Sequence, residues 1–99
     1  MINLKKSQND SREYKFLELP NKMRCLLISD PEADKSAAAL DVFVGSALDP
    51  KPLFGVAHFL EHLLFMGTDK YPEENEYSKF ITDNGGYSNA YTSNTSTNY

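Results

Sequence analysis

An α+β fold is predicted, in the order strand, strand, strand, helix, helix, strand. Three observations carry it. Apolar runs of strand length fill the first half of the chain, two segments with helix start and stop signals follow, and a Ser/Thr/Asn/Tyr-rich stretch comes after them. No internal repeat is present, and the segregation of strand-type and helix-type runs indicates α+β architecture.

Residues 1–13 are polar without a period and read as a flexible lead-in. Residues 14–19 alternate weakly, Pro20-Asn21-Lys22 has turn chemistry, and residues 23–29 return as a second apolar run, which together predict a β-hairpin. A charged loop around Pro31 leads to residues 36–45, where Ala38, Leu40, Val42 and Val44 share one face of a half-buried strand. Asp49-Pro50-Lys51-Pro52 cannot continue that strand, and a proline near the first helical position suits a helix start. Residues 53–66 are apolar nearly all round, which predicts a buried helix ending at Gly67 as its cap. A second helix is expected after Pro72, with Glu73, Glu74 and Glu76 at its positive end and Gly85-Gly86 as its stop. Residues 87–93 then read as an edge-type strand.

The composition excludes several function classes. Of 99 residues, 10 are Lys or Arg and 14 are Asp or Glu, a net charge of −4 that lacks the basic clusters a nucleic-acid surface needs. No apolar run approaches the roughly 18 to 20 residues of a membrane-spanning helix, and no secretory-type apolar stretch follows Met1-Ile2-Asn3-Leu4-Lys5-Lys6. Cytoplasmic localisation is therefore expected. The single cysteine, Cys25, cannot form an internal disulfide and reads as a small hydrophobe within a strand. A chain of this length is expected to bury roughly two thirds of its unfolded surface.

Three polar residues interrupt the most hydrophobic helix: His58, Glu61 and His62. At about 100° per residue they fall at roughly 0°, −60° and 40° around the axis, so all three project from one narrow face. Histidines four apart have Cβ atoms roughly 5 to 6 Å apart, close enough for both rings to converge on one zinc ion. Glu61 lies about 60° outside the histidine pair, on the side opposite to the acid of an H-E-x-x-H helix, so the H-x-x-E-H order is that arrangement reversed. The carboxylate is placed beside the ion without ligating it. It can take a proton from a zinc-bound water, whose pKa falls to about 7, and pass it to a leaving amine. A histidine pair alone is as well explained by packing. The added glutamate is not, because a buried carboxylate costs several kcal/mol unless paired.

The run Gly55-Val56-Ala57-His58-Phe59-Leu60-Glu61-His62-Leu63-Leu64-Phe65-Met66-Gly67-Thr68 is followed by Lys70-Tyr71-Pro72-Glu73-Glu74-Asn75-Glu76-Tyr77 and by Gly85-Gly86-Tyr87-Ser88-Asn89-Ala90-Tyr91-Thr92-Ser93. From about Tyr14 to Tyr99 the sequence resembles the inverted-motif zinc peptidases of the pitrilysin family, most of all their insulysin branch. The resemblance implies that residues 14–99 form the N-terminal part of an M16-type metallopeptidase domain within a much longer chain. It implies a zinc metalloendopeptidase with one Zn2+ per site, held by His58 and His62, and with Glu61 as general base. It also maps a substrate-holding edge strand onto Asn89 and Ala90, and a pocket wall onto Phe65. Peptides and small proteins are the implied substrates, and the remaining domains of the chain the implied partners. Homo-oligomerisation is left open, and neither nucleic acid nor membrane is expected.

The third zinc ligand of the family is a glutamate on a later helix, beyond Tyr99, and the family pattern has the chain ending inside a strand. The 99-residue piece alone is thus expected to bind zinc weakly and to hydrolyse nothing. Branch members often carry cysteine where this chain has Leu60, so thiol inhibition at that point is not expected. From the residues alone, 87–93 has two readings: a solvated edge, or a strand that pairs with an extended peptide. The alternative functions are a non-catalytic scaffold or partner subunit of the same fold and a mitochondrial-type processing peptidase. An intact His58, Glu61 and His62 disfavour the scaffold. The absence of an Arg-rich, Ser-rich amphipathic opening disfavours mitochondrial import.

Overall fold

Pro20-Asn21-Lys22 reverses the chain as its composition predicts. The computed structural model describes residues 4–99, so the first three residues of the expected lead-in lie outside it. Two compact units are present, Met1–Ala37 and Ala38–Tyr99.

In the first unit β1 (Glu13–Glu18) pairs antiparallel with β2 (Arg24–Ser29), with Leu17 opposite Cys25 and Tyr14 opposite Ile28. The turn closes through Lys22 N–H to the Leu19 carbonyl at 2.9 Å and through Leu19 N–H to the Met23 carbonyl at 2.9 Å. Ahead of β1, within the expected lead-in, the Asp10 carboxylate accepts Arg12 Nε at 2.9 Å, Arg12 Nη2 at 3.0 Å and the Tyr14 hydroxyl at 2.6 Å. These donors, Arg12 first, hold the Asp10 carboxyl well below the usual carboxylate range, and the same contact raises the Tyr14 hydroxyl.

In the second unit β3 (Asp41–Val42) and β4 (Tyr91–Thr92) flank β5 (Thr97–Asn98) in an antiparallel sheet of order β3-β5-β4. The order read from the residues lacks β5. It lies where the family pattern puts a strand at the chain end. The strand expected over 36–45 shortens to Asp41–Val42, because pairing exists only where β5 runs alongside, from the Leu40–Tyr99 backbone bonds at 2.8 and 2.9 Å onward. It ends where Val44 N–H turns back to the Val42 carbonyl at 2.7 Å. The strand expected over 87–93 likewise shortens, since from Ser93 the chain folds into a turn in which Ser93 Oγ accepts the N–H groups of Thr95 and Ser96 at 3.3 and 3.0 Å.

A single 3₁₀ turn, Ser46–Leu48, precedes α1 (Val56–Leu63). The helix starts later than its apolar run because Asp49 fixes the start. The Asp49 carboxylate accepts Gly55 N–H at 2.6 Å and Ala57 N–H at 3.0 Å, satisfying donors that a helix N-terminus leaves open and placing negative charge at its positive end. Replacing Asp49 by Ala is expected to lower stability by about 1 kcal/mol, measured by denaturant unfolding, as for the loss of a side-chain cap. An unchanged midpoint would show that the two N–H groups find other partners.

At its other end α1 does not reach Gly67, which is not the helix cap the sequence suggests. Leu64 caps the helix, and a Cβ on Gly67 would lie 2.6 Å from the Pro72 carbonyl oxygen, so glycine is required there by the close return of the chain. The second helix, α2 (Glu76–Asp83), does end as predicted. Gly85 takes φ 69°, its N–H bonds to the Thr82 carbonyl at 3.0 Å, and Gly86 N–H bonds to the Ile81 carbonyl at 2.8 Å, the paired bonds of a Schellman ending.

The expected apolar core and buried helix are not found. Among the described residues no hydrophobic side chain is buried, and Phe59 and Leu64 of α1 are 64% and 60% exposed. The physical reason is the small number of layers, since among the described residues α1 packs chiefly on β4, β5 and the 3₁₀ turn. Among the described residues, the buried ones are Gly45, Glu61 and Thr97. Thr97 Oγ1 donates to the Val44 carbonyl at 2.8 Å, and a Cβ on Gly45 would lie 2.2 Å from the Ser93 carbonyl oxygen. The best-shielded part of this unit is therefore the seam that carries Glu61.

Candidate metal centre

His58, Glu61 and His62 share one face of α1, as helical spacing requires, and one ligand-type atom from each lies within 4.8 Å of the others. The two rings are exposed and tilted at 50° with centroids 4.7 Å apart, and their Nε2 atoms are 3.0 Å apart. Two lone pairs that close repel, so the arrangement calls for a shared proton or a shared cation. Nitrogens bound to one tetrahedral zinc at about 2.0 to 2.1 Å lie roughly 3.3 to 3.4 Å apart, so small ring rotations make this pair a chelate. The donor set fits zinc.

Glu61 differs from its neighbours in burial. It is 7% exposed, and its Oε2 accepts the Thr92 hydroxyl at 2.5 Å, the length of a charge-assisted bond. That contact makes burial of the carboxylate tolerable. No buried side-chain polar atom among the described residues lacks a partner.

Asn89 and Ala90, expected in a substrate-holding strand, lie immediately upstream of β4. Asn89 is exposed, Ala90 half-buried, and Ala90 N–H is donated to Asn89 Oδ1 at 3.0 Å. β4 is an edge strand within this unit, paired with β5 on one side. Phe65, expected as a pocket wall, is half-buried and packs against Tyr77 and Tyr99 at centroid separations of 6.1 and 6.4 Å. The structure thus brings together the histidines and the glutamate, sets Asn89 and Ala90 on the segment entering β4, and places Phe65 in an aromatic cluster beyond the end of α1.

Sequence reasoning missed Thr92 and Asp49. A signal for Thr92 was present, because the period of two places it on the same strand face as Ala90. For Asp49 the signal was an acid a few residues before an apolar helical run, with proline between.

The mixed α/β fold thus carries an H-x-x-E-H face on α1, and comparison with known proteins supplies its family. Residues 24–99 match Insulinase (Peptidase family M16), and the chain belongs to that family. It is 61% identical over 90 residues to the A-factor-processing enzyme of Saccharomyces cerevisiae, covering 91% of this chain and 9% of that protein. It is 58% identical over 94 residues to the insulin-degrading enzyme of Homo sapiens, covering 95% of this chain and 9% of that one. The crystal structure of pitrilysin superposes with a TM-score of 0.82 at 44% identity, over 95% of this chain and 10% of that chain. The chain therefore spans about a tenth of the length of these relatives. Among the described residues no helix is long and apolar enough to cross a membrane.

Proposed function

We propose that this chain supplies the zinc-binding helix and the general base of a metalloendopeptidase that hydrolyses peptides and small proteins. The observation that carries the proposal is the pair of Nε2 atoms 3.0 Å apart with a buried carboxylate beside them. His58 and His62 are the residues that would hold the ion. Bound there, zinc would act as a Lewis acid and lower the pKa of a coordinated water to about 7.

The chain's own residues do the rest. Thr92 engages Glu61 Oε2, which leaves Oε1 to take the proton of the attacking water. Glu61 then delivers that proton to the amide nitrogen as the water oxygen bonds to the carbonyl carbon and the C–N bond breaks. The free edge of β4 with Asn89 and Ala90 is proposed to pair with an extended substrate through main-chain hydrogen bonds, Asn89 Oδ1 releasing Ala90 N–H for that purpose. Phe65 is proposed to form one wall of the adjoining pocket, backed by Tyr77 and Tyr99.

The same reading makes residues 14–99 part of a larger catalytic domain, whose further segments supply a third ligand and cover the exposed side chains of α1. The named relatives, roughly ten times the length of this chain, support it. A cytosolic setting is proposed with it.

The test is removal of the metal. The full-length protein that carries this segment should lose peptide cleavage on dialysis against a zinc chelator and regain it with about one equivalent of zinc per site. Cleavage that survives complete zinc removal would overturn the proposal.

A further inference from the structure

We infer that Thr92 is a positioning residue for the reaction: its hydroxyl fixes the Glu61 carboxylate, so that β4 and the residues leading into it set both the general base and the register of the substrate. The inference rests on the function proposed above. Thr92 Oγ1 donates to Glu61 Oε2 at 2.5 Å across 31 residues of sequence. A glutamate side chain has three rotatable bonds, and on α1 alone the helical backbone disfavours one χ1 well and leaves the remaining rotamers open. Burial narrows the choice, and the Thr92 bond fixes Oε2.

Thr92 is itself held from several directions. It lies opposite Thr97 in the β4–β5 ladder, and Thr97 is tied to the Val44 carbonyl. The next residue, Ser93, accepts Ser46 N–H at 2.9 Å through its carbonyl, with Gly45 packed too closely to admit a side chain. A group that only satisfied a buried carboxylate would need none of this bracing. Thr92 also stands two residues beyond Ala90, so a peptide paired at Asn89 and Ala90 is registered to the base through the short segment that runs from them into β4.

The test compares Thr92→Val, which keeps the shape and removes the hydroxyl, with Thr92→Ser, which keeps the hydroxyl, both in the full-length protein. Thr92→Val should lower kcat by about 10- to 100-fold, the scale of an ångström-level misplacement of a catalytic group, with KM and zinc affinity unchanged. Thr92→Ser should restore kcat to within about threefold, the smaller loss reflecting its extra rotamer freedom. A crystal structure of the metal-free Thr92→Val protein should show the Glu61 carboxylate displaced from the place it keeps in Thr92→Ser. Any one of three results overturns the inference: kcat of Thr92→Val within twofold of the parent, equal impairment of the Val and Ser variants, or zinc loss that accounts for the fall. A parallel Glu61→Gln control separates the two readings. If that control stays active, the proposed function fails. If it is inactive while Thr92→Val is normal, only the role of Thr92 fails.

Discussion

Replacing Glu61 by Gln should lower kcat for peptide cleavage by at least about 10²- to 10⁴-fold while leaving bound zinc in place. The substitution changes one oxygen to an amide nitrogen and keeps the volume. The site behind the side chain is closed, with Glu61 7% exposed, so a shorter residue would add a cavity to the chemical loss and confuse the measurement. A glutamine can still accept the Thr92 hydroxyl through its amide oxygen, so the seam between α1 and β4 stays intact. What it cannot do is take a proton. The fall corresponds to about 3 to 5 kcal/mol in the barrier. It should appear in kcat with KM little changed, because the carboxylate acts as the proton moves and not in holding the peptide. Zinc content by atomic emission and cleavage by a quenched peptide substrate are the two measurements. Equal cleavage by parent and variant would remove Glu61 from its role.

The second large effect belongs to the histidines. Replacing His58 or His62 by Ala should weaken zinc binding by more than about 100-fold, beyond the loss typical when only a group supporting a ligand is removed. Cleavage should disappear with the metal. Stability of the metal-free protein should not fall. Both rings are exposed, so a hydrogen bond between their Nε2 atoms is exchanged for bonds to water at little net cost, and alanine is the better helix former. This pairing of outcomes is diagnostic, because a histidine kept for packing would show the reverse: a lower unfolding midpoint and unaltered zinc affinity. Competition with a chromophoric chelator and thermal unfolding of the apo protein read the two quantities separately.

Local pattern and spatial neighbourhood contributed differently to this site. The convergence of His58, Glu61 and His62 was legible in the sequence because residues three and four apart on a helix are neighbours whatever surrounds them. For the same reason the hairpin turn at Pro20-Asn21-Lys22 and the stop of α2 at Gly85-Gly86 could be read directly, each being set by the backbone preferences of a few adjacent residues. Lengths were less legible. β3 and β4 came out shorter than their apolar or alternating runs, since a strand lasts only as long as its partner runs beside it. Gly67 was misread as a cap because a glycine after an apolar run has that meaning locally, whereas its true constraint is the Pro72 carbonyl returning from five residues on.

By itself, then, the sequence determined that His58, Glu61 and His62 share one helix face, and to which family the chain belongs. Tertiary structure alone decided that the acid is shielded while the two imidazoles stay open to solvent, and that a threonine 31 residues away grips one of its oxygens. It also decided that Asp49 fixes where the helix begins. The division has one physical cause. Helical geometry propagates from each residue to the next and needs no partner, whereas burial and hydrogen bonding between distant residues exist only after the chain has closed its loops, at an entropic cost that no local pattern records.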